Sequence, residues 1–384
     1  MTIYPVVFFE ILSHIGLKSS RILITLYAIE LGADSFIVGI LISLYGFFPL
    51  FLAVFAGKTS DRFGFRYPIF FGQIGVALGL LIPYIFPHIL SLFASAAIIG
   101  ASFIFCHISF HNLIGSLGAA EVRTRNYSIM SLGASTSGFI CPLIAGFSID
   151  HFGHVSTYLY LFIITLAAGL SILVYFKDIS PTSPKAEKHV KKNVADLLKN
   201  KPLRQILITS GIVIAGVDLF SFYFPIYGHS IGFSASLIGI VLSLYAAAAF
   251  VIRVVMPAIV RRYNEENILA ASLLLSGMTF LLFPFFKNVA ALSLIAFILG
   301  LGLGCGQPLA IMLTYNLAPV GRSGEALGMR ITVNKFIQIS VPIIFGSIGN
   351  LFGFFPVFWA NAVLLMGSGY SGRMAKNKKS KATY

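Results

Sequence analysis

Twelve apolar runs of near-bilayer length decide what this chain can become. They lie at 5–30, 36–56, 67–86, 89–118, 127–149, 155–176, 203–227, 237–260, 268–286, 289–317, 331–351 and 354–370. A helix needs about 20 apolar residues to cross the hydrocarbon layer. Lipid offers no partner for a backbone N–H or C=O. A spanning segment must therefore satisfy its own polar groups as a helix, or close into a barrel. Barrel strands are about ten residues of alternating polarity, and these runs are longer and unbroken. The sequence predicts an all-α membrane protein of about twelve transmembrane helices. Composition agrees: 57% of the 384 residues are hydrophobic and 10% charged, against about 25% charged in a soluble domain. The longest polar stretch is 177–202, which leaves no room for a sizeable soluble domain.

The chain also repeats itself. Gly39-Ile40 returns as Gly239-Ile240, Ser43-Leu44-Tyr45 as Ser243-Leu244-Tyr245, and Arg62 as Arg262. The same offset pairs Gly32 with Gly232, Gly100 with Gly300, Pro142 with Pro342, Gly146 with Gly346 and Phe152-Gly153 with Phe352-Gly353. In between it slips by one, so Arg123 falls on Arg322 and Met130 on Met329. So much agreement in order means two copies of one unit of roughly 200 residues, and a repeat governs every later assignment. The expected organisation is a six-helix bundle at 1–176, a linker at 177–202, a second six-helix bundle at 203–370 and a basic tail at 371–384.

Charge gives the orientation. Twenty-two of the 27 Lys and Arg residues fall in the linker with its flanks, the tail and the loops near 57–66, 119–126, 257–267 and 318–330. The opposite loops hold only Lys287. Basic loops stay cytoplasmic, so both termini and the linker are expected there, in a plasma (inner) membrane. The net charge of +14 is thus spread over short loops, with no basic domain for nucleic acid. A basic linker beside that leaflet is attracted to anionic lipid, the alternative being a protein partner. Its Ser/Pro start reads as flexible, and 193–200 as a short surface helix. Cys106, Cys141 and Cys305 lie inside apolar runs and read as small core residues, without disulfide or metal spacing. The first run lacks a basic n-region and a small-residue cleavage site, so it is expected to remain as a span.

Several polar residues fall inside spans, where a charge costs at least about 2.5–3.5 kcal/mol at the bilayer centre. In the first span Glu10, His14, Lys18, Arg21 and Thr25 fall within an arc of roughly 80° at helical periodicity. Lys18 and Arg21 are mid-span. Such a column faces a cavity, or a structural partner inside its own bundle. Asp218, at the repeat offset from Lys18, pairs either with Lys18 or with a separate residue such as Lys335. His107 and His111 sit one turn apart, beside Asn112, with Gln307 as the repeat counterpart of His107. They read either as cavity-lining polar groups or as structural histidines. No carboxylate accompanies them in their own helix, so no metal and no cofactor is expected. Arg253 lies near a span end, where it can snorkel, while Lys335, with Asn334 and Gln338, lies deeper. A polytopic membrane enzyme using His107 and His111 is the competing reading, although a two-fold repeat gives no reason for one.

Gly57-Lys-Thr-Ser-Asp61-Arg62-Phe-Gly64-Phe-Arg66, between the second and third spans, resembles motif A of the major facilitator superfamily. Gly138-Phe-Ile-Cys-Pro142-Leu-Ile-Ala-Gly146 is similar to the family's motif C, common among exporters, although Cys141 stands where a glycine usually precedes the proline. Gly321-Arg-Ser-Gly-Glu-Ala-Leu-Gly328 before the eleventh span also resembles the family. The resemblance covers almost the whole chain. It implies two pseudo-symmetric six-helix bundles with a binding site between them and alternating access. The expected activity is secondary transport of a small organic solute, most simply proton-coupled, by a monomer. A broad-specificity drug or metabolite efflux antiporter is the alternative. No GxxxxGK[ST] phosphate loop occurs. The expected substrate residues are Lys18, Arg21, His14, Thr25, His107, Gln307 and Lys335, with Glu10 and Asp218 coupling the proton. Gly57, Asp61, Arg62, Gly64 and Arg66 form the expected cytoplasmic gate, in which Asp61 faces the start of the eleventh span. Four buried cations against two carboxylates favour an organic anion.

Overall fold

The structure is a computed structural model that describes residues 3–117, 120–175, 194–319 and 322–381. Eleven α-helices account for nearly all of them: α1 Ile3–Glu30, α2 Ser35–Phe63, α3 Arg66–Ile85, α4 Ile89–Ser116, α5 Ala120–Tyr175, α6 Lys201–Ser230, α7 Ala235–Arg262, α8 Glu265–Leu282, α9 Val289–Leu317, α10 Ser323–Phe352 and α11 Phe354–Lys381. No strand occurs among the described residues. α5 holds the fifth and sixth expected spans, because its path breaks at Gly153, with φ 76° and ψ 169°. Among the described residues, eleven helices therefore cover the twelve stretches expected to span. Nine are long and apolar enough to cross a membrane. α1 and α11 fall short of that measure; α1 owes it to its polar column.

Three boundaries depart from the sequence-based expectation. The charged stretch 57–66 is not all turn. α2 continues through Phe63 and the turn is only Gly64–Phe65. A helical Gly57 costs about 1 kcal/mol, less than leaving its backbone groups unsatisfied. The break comes at Gly64, whose φ of 75° suits a residue with no Cβ. Likewise Arg330 is not a loop residue, because α10 starts at Ser323 and buries it. The Arg322–Glu325 ion pair at 2.5 Å stabilises that early start. The last helix runs past 370 to Lys381. Most of the linker, 176–193, lies outside the described residues. Val194–Lys199 forms a 3-10 turn, with Lys199 Nζ 2.9 Å from Asp196 Oδ1.

Contacts divide the chain into two compact units. The first is Met1–Lys188 with Pro225–Ser243, and the second is His189–Phe224 with Leu244–Tyr384. In the first unit α1 lies against α5, α3 against α4 and α5, and α2 against α4. Val6, Phe9, Ile69, Phe110, Leu113 and Met130 belong to its buried core. The end of α6 and the start of α7 join this unit. Asp150 of α5 accepts hydrogen bonds from the backbone N–H of Ala235 (3.0 Å) and Ser236 (2.9 Å). Those are orphan donors of a helix N-terminus, where a carboxylate is favoured. Ser243 Oγ donates to Phe139 O at 2.7 Å on the same helix pair.

In the second unit α8 packs on α9 and α11, and α10 on the same two helices. Rings fill the centre: Phe283 stacks on Phe358 at 5.5 Å, with Phe220, Phe224 and Phe280 at 5.5, 6.0 and 5.9 Å from it. The repeat reappears in the backbone. Gly32 and Gly232 take φ of 85° and 86°, and Gly153 and Gly353 take 76° and 80°. Gly100 lies so close to α2 that a Cβ would meet the Tyr45 backbone at 2.9 Å, and Gly300 meets Tyr245 in the same way.

Candidate functional site

The polar column of α1 is built into the first unit from several sides. Glu10 is 2% exposed and His14 7%. His14 Nδ1 donates to Glu10 O at 2.8 Å, one turn back. A carbonyl only accepts, so the proton is on Nδ1 and the Nε2 lone pair is left for another partner. Lys18 Nζ donates to Ala134 O (2.8 Å) and Ser137 Oγ (2.6 Å) on α5. Ser19 Oγ donates to Cys141 O at 3.0 Å. Gly16 permits the close approach of α1, since a Cβ there would sit 2.7 Å from Thr165 Oγ1. Lys18 and Arg21 are half-buried. Thr25 is fully buried and its hydroxyl donates to Arg21 O at 2.8 Å, one turn back.

α4 supplies the histidines. His107 stacks on Phe103 at 5.8 Å and meets His111 at 4.4 Å. His14 stands edge-on to His107 at 6.2 Å. The structure thus adds α1 to the His107–His111 pair and brings Glu10 to it, a carboxylate that the sequence of α4 does not contain. Helical spacing within α4 alone gives no sign of this; the α1 column at 10 and 14 was the usable signal.

The motif-A segment is tied into the first unit at two points. Arg66 Nη2 donates to Leu173 O at 2.5 Å, and Asn112 Nδ2 to Ser60 Oγ at 3.3 Å. Arg62 lies over the Phe63 ring at 5.1 Å. Asp61 and Arg62 are exposed.

In the second unit Asp218 is 4% exposed on α6. Lys335 Nζ donates to Gln338 Oε1 at 2.9 Å, one turn along α10. Gln307 accepts from Arg330 Nη1 at 3.1 Å, and Arg330 also reaches Ser210 Oγ at 3.3 Å. Ser210 in turn donates to Asn334 Oδ1 at 3.1 Å. Arg330, which the sequence reading placed in a loop, is 7% exposed and centres this network. Arg253 Nε donates to Gly304 O at 3.3 Å.

The Major Facilitator Superfamily model matches residues 6–334 and 206–376. The chain belongs to that superfamily. Among curated proteins it is 22% identical to Multidrug resistance protein 2 of Bacillus subtilis (strain 168), over 90% of this chain and 88% of that one. It is 21% identical to Multidrug resistance protein MdtG of Enterobacter lignolyticus (strain SCF1), over 87% and 81%. Among solved structures a mutant of nucleoside transporter NupG superposes with a TM-score of 0.83 at 15% identity, over 97% of this chain and 99% of that one. A mutant of peptide transporter POT superposes at 0.81 and 15%, over 98% and 94%. At such identities the structural likeness concerns fold alone. This superfamily member is an integral membrane transporter for a small-molecule substrate, not an enzyme using His107 and His111.

Proposed function

We propose that this transporter moves a small organic anion across the plasma membrane by alternating access, with a proton as coupling ion. The observation that carries the reading is the α1 column, where Lys18 and Arg21 lie half-buried in mid-span. A cation at that depth is tolerated only where it meets a partner or a polar cavity, and an arginine grips a carboxylate in two places. His14, Thr25, His107, Gln307 and Lys335 complete the proposed substrate surface. Glu10 and Asp218 are the proposed proton carriers, as the carboxylates buried in the spans. Gly57, Asp61, Arg62, Gly64 and Arg66 form the proposed cytoplasmic gate. Both termini are cytoplasmic on this reading, the working unit is a monomer, and nucleic acid plays no part.

Drug or metabolite efflux by proton antiport is the second reading. It is favoured by the names of the curated relatives and by the motif-C-like stretch 138–146. A thermal-shift screen of the purified protein separates the two. Stabilisation by carboxylates, lost in Arg21→Ala, supports the anion. Stabilisation by lipophilic cations, indifferent to that substitution, supports efflux and removes the anion site.

A further inference from the structure

We propose that Glu10, His14 and His107 hold one divalent transition-metal ion of the Zn2+ type inside the first unit. One ligand atom from each lies within 4.8 Å of the other two. In a tetrahedral zinc site with bonds of about 2.1 Å the ligand atoms stand ~3.4 Å apart. Binding an ion would therefore have to draw the three groups together by about an ångström, with His14 held by its own backbone contact and Glu10 and His107 moving towards it.

Three features point to an ion. Both Glu10 carboxylate oxygens are buried and accept no hydrogen bond from the described residues. A carboxylate so placed either holds a proton or coordinates a metal, and a bound ion would take the place of the proton that Glu10 carries in the proposed transport cycle. Next, His14 Nδ1 donates to the Glu10 carbonyl at 2.8 Å. Metal-bound histidines characteristically spend their second nitrogen on such a backbone carbonyl, which fixes the tautomer and presents Nε2 to the ion. Finally, the donor set is two imidazoles and one carboxylate. That suits Zn2+ and its neighbours, whereas Ca2+ and Mg2+ prefer all-oxygen shells.

The elements hold the three groups in place. Glu10 and His14 are one turn apart on α1, and Phe103 packs against both His14 (5.2 Å) and His107 (5.8 Å). His111 stands 4.4 Å from His107, as the next donor along α4. Lys18, the nearest cation on α1, is anchored on α5 through Ala134 O and Ser137 Oγ. Three protein ligands leave a fourth position for water or an anionic donor. The site shares Glu10, His14 and His107 with the proposed transport surface, but it does not involve Lys18 or Arg21.

The test is metal binding, read without any transport assay. Chelator-treated full-length protein in nanodiscs is titrated with Co2+, followed by its visible spectrum, and with Zn2+ in a calorimeter. We expect one ion per chain, a tetrahedral Co2+ spectrum and displacement of Co2+ by Zn2+. Glu10→Gln and His107→Gln each lower the affinity at least ~10-fold, the scale of damage seen even for outer-shell partners. His151→Gln, at an exposed histidine, leaves it unchanged. Should Glu10→Gln fail to give monodisperse protein, His107→Gln and the wild-type spectrum decide. No stoichiometric ion in the wild type, or equal affinity in the trio variants, overturns the site. Arg21→Ala separates this proposal from the transport reading, because it removes anion binding and leaves the metal in place.

Discussion

Lys18 and Arg21 were picked out by their depth in an apolar run, and Arg330 by nothing in the sequence. The difference is burial. A cation mid-span is conspicuous against its neighbours, whereas Arg330 stands near a Gly/Ser stretch that looks like a loop. Only the early start of α10 carries it inward to Ser210 and Gln307. Arg330→Met should therefore leave buried polar groups short of a partner. An unsatisfied buried group costs about 1–3 kcal/mol, so detergent-solubilised Arg330→Met should unfold at a clearly lower temperature than wild type. An unchanged melting temperature would mean that the network carries no stability. Arg21→Lys keeps the charge and loses the fork. Uptake or efflux of a carboxylate substrate should fall several-fold, with the melting temperature held. Full activity in Arg21→Ala would remove Arg21 from the substrate site.

At the scale of elements, the first N–H groups of α7 are held by Asp150 across a break of 85 residues in sequence. The contact is charge-assisted, and such bonds are roughly twice as strong as neutral ones. Asp150→Ala should raise hydrogen exchange at Ala235 and Ser236 while leaving the core of α5 protected. Unaltered exchange there would show that packing alone holds α7. Gly300 faces the opposite constraint. It lies against the Tyr245 backbone, and helices in membranes approach this closely only over small residues. Gly300→Leu should prevent α9 from seating on α7, so that the protein fails to purify as a monodisperse species, while Gly367→Leu, where a Cβ has open space, should purify normally.

For the whole molecule, the expected gate gives the sharpest test. Asp61 is exposed on α2, so Asp61→Asn should spare folding and shift the population towards the inward-open state. Spin-label distances between the cytoplasmic ends of the two halves would lengthen; unchanged distances with normal transport would remove the latch. Helical class, the apolar runs and the two-fold repeat were legible in the residues because lipid enforces them locally. Each span needs its own run of apolar side chains and its own backbone hydrogen bonds, and paired glycines such as Gly153 and Gly353 mark equivalent breaks. The motif-A stretch was legible too, as spacing within one segment. Tertiary structure decided the partners. Glu10 and His14 belong to α1 and His107 to α4, about a hundred residues apart, and no period within either helix relates them. Asp150 met the N-terminus of α7, and Arg330 became a buried hub, for the same reason: hydrogen bonds and donor sets between helices depend on which faces pack together, and that is a property of the whole fold.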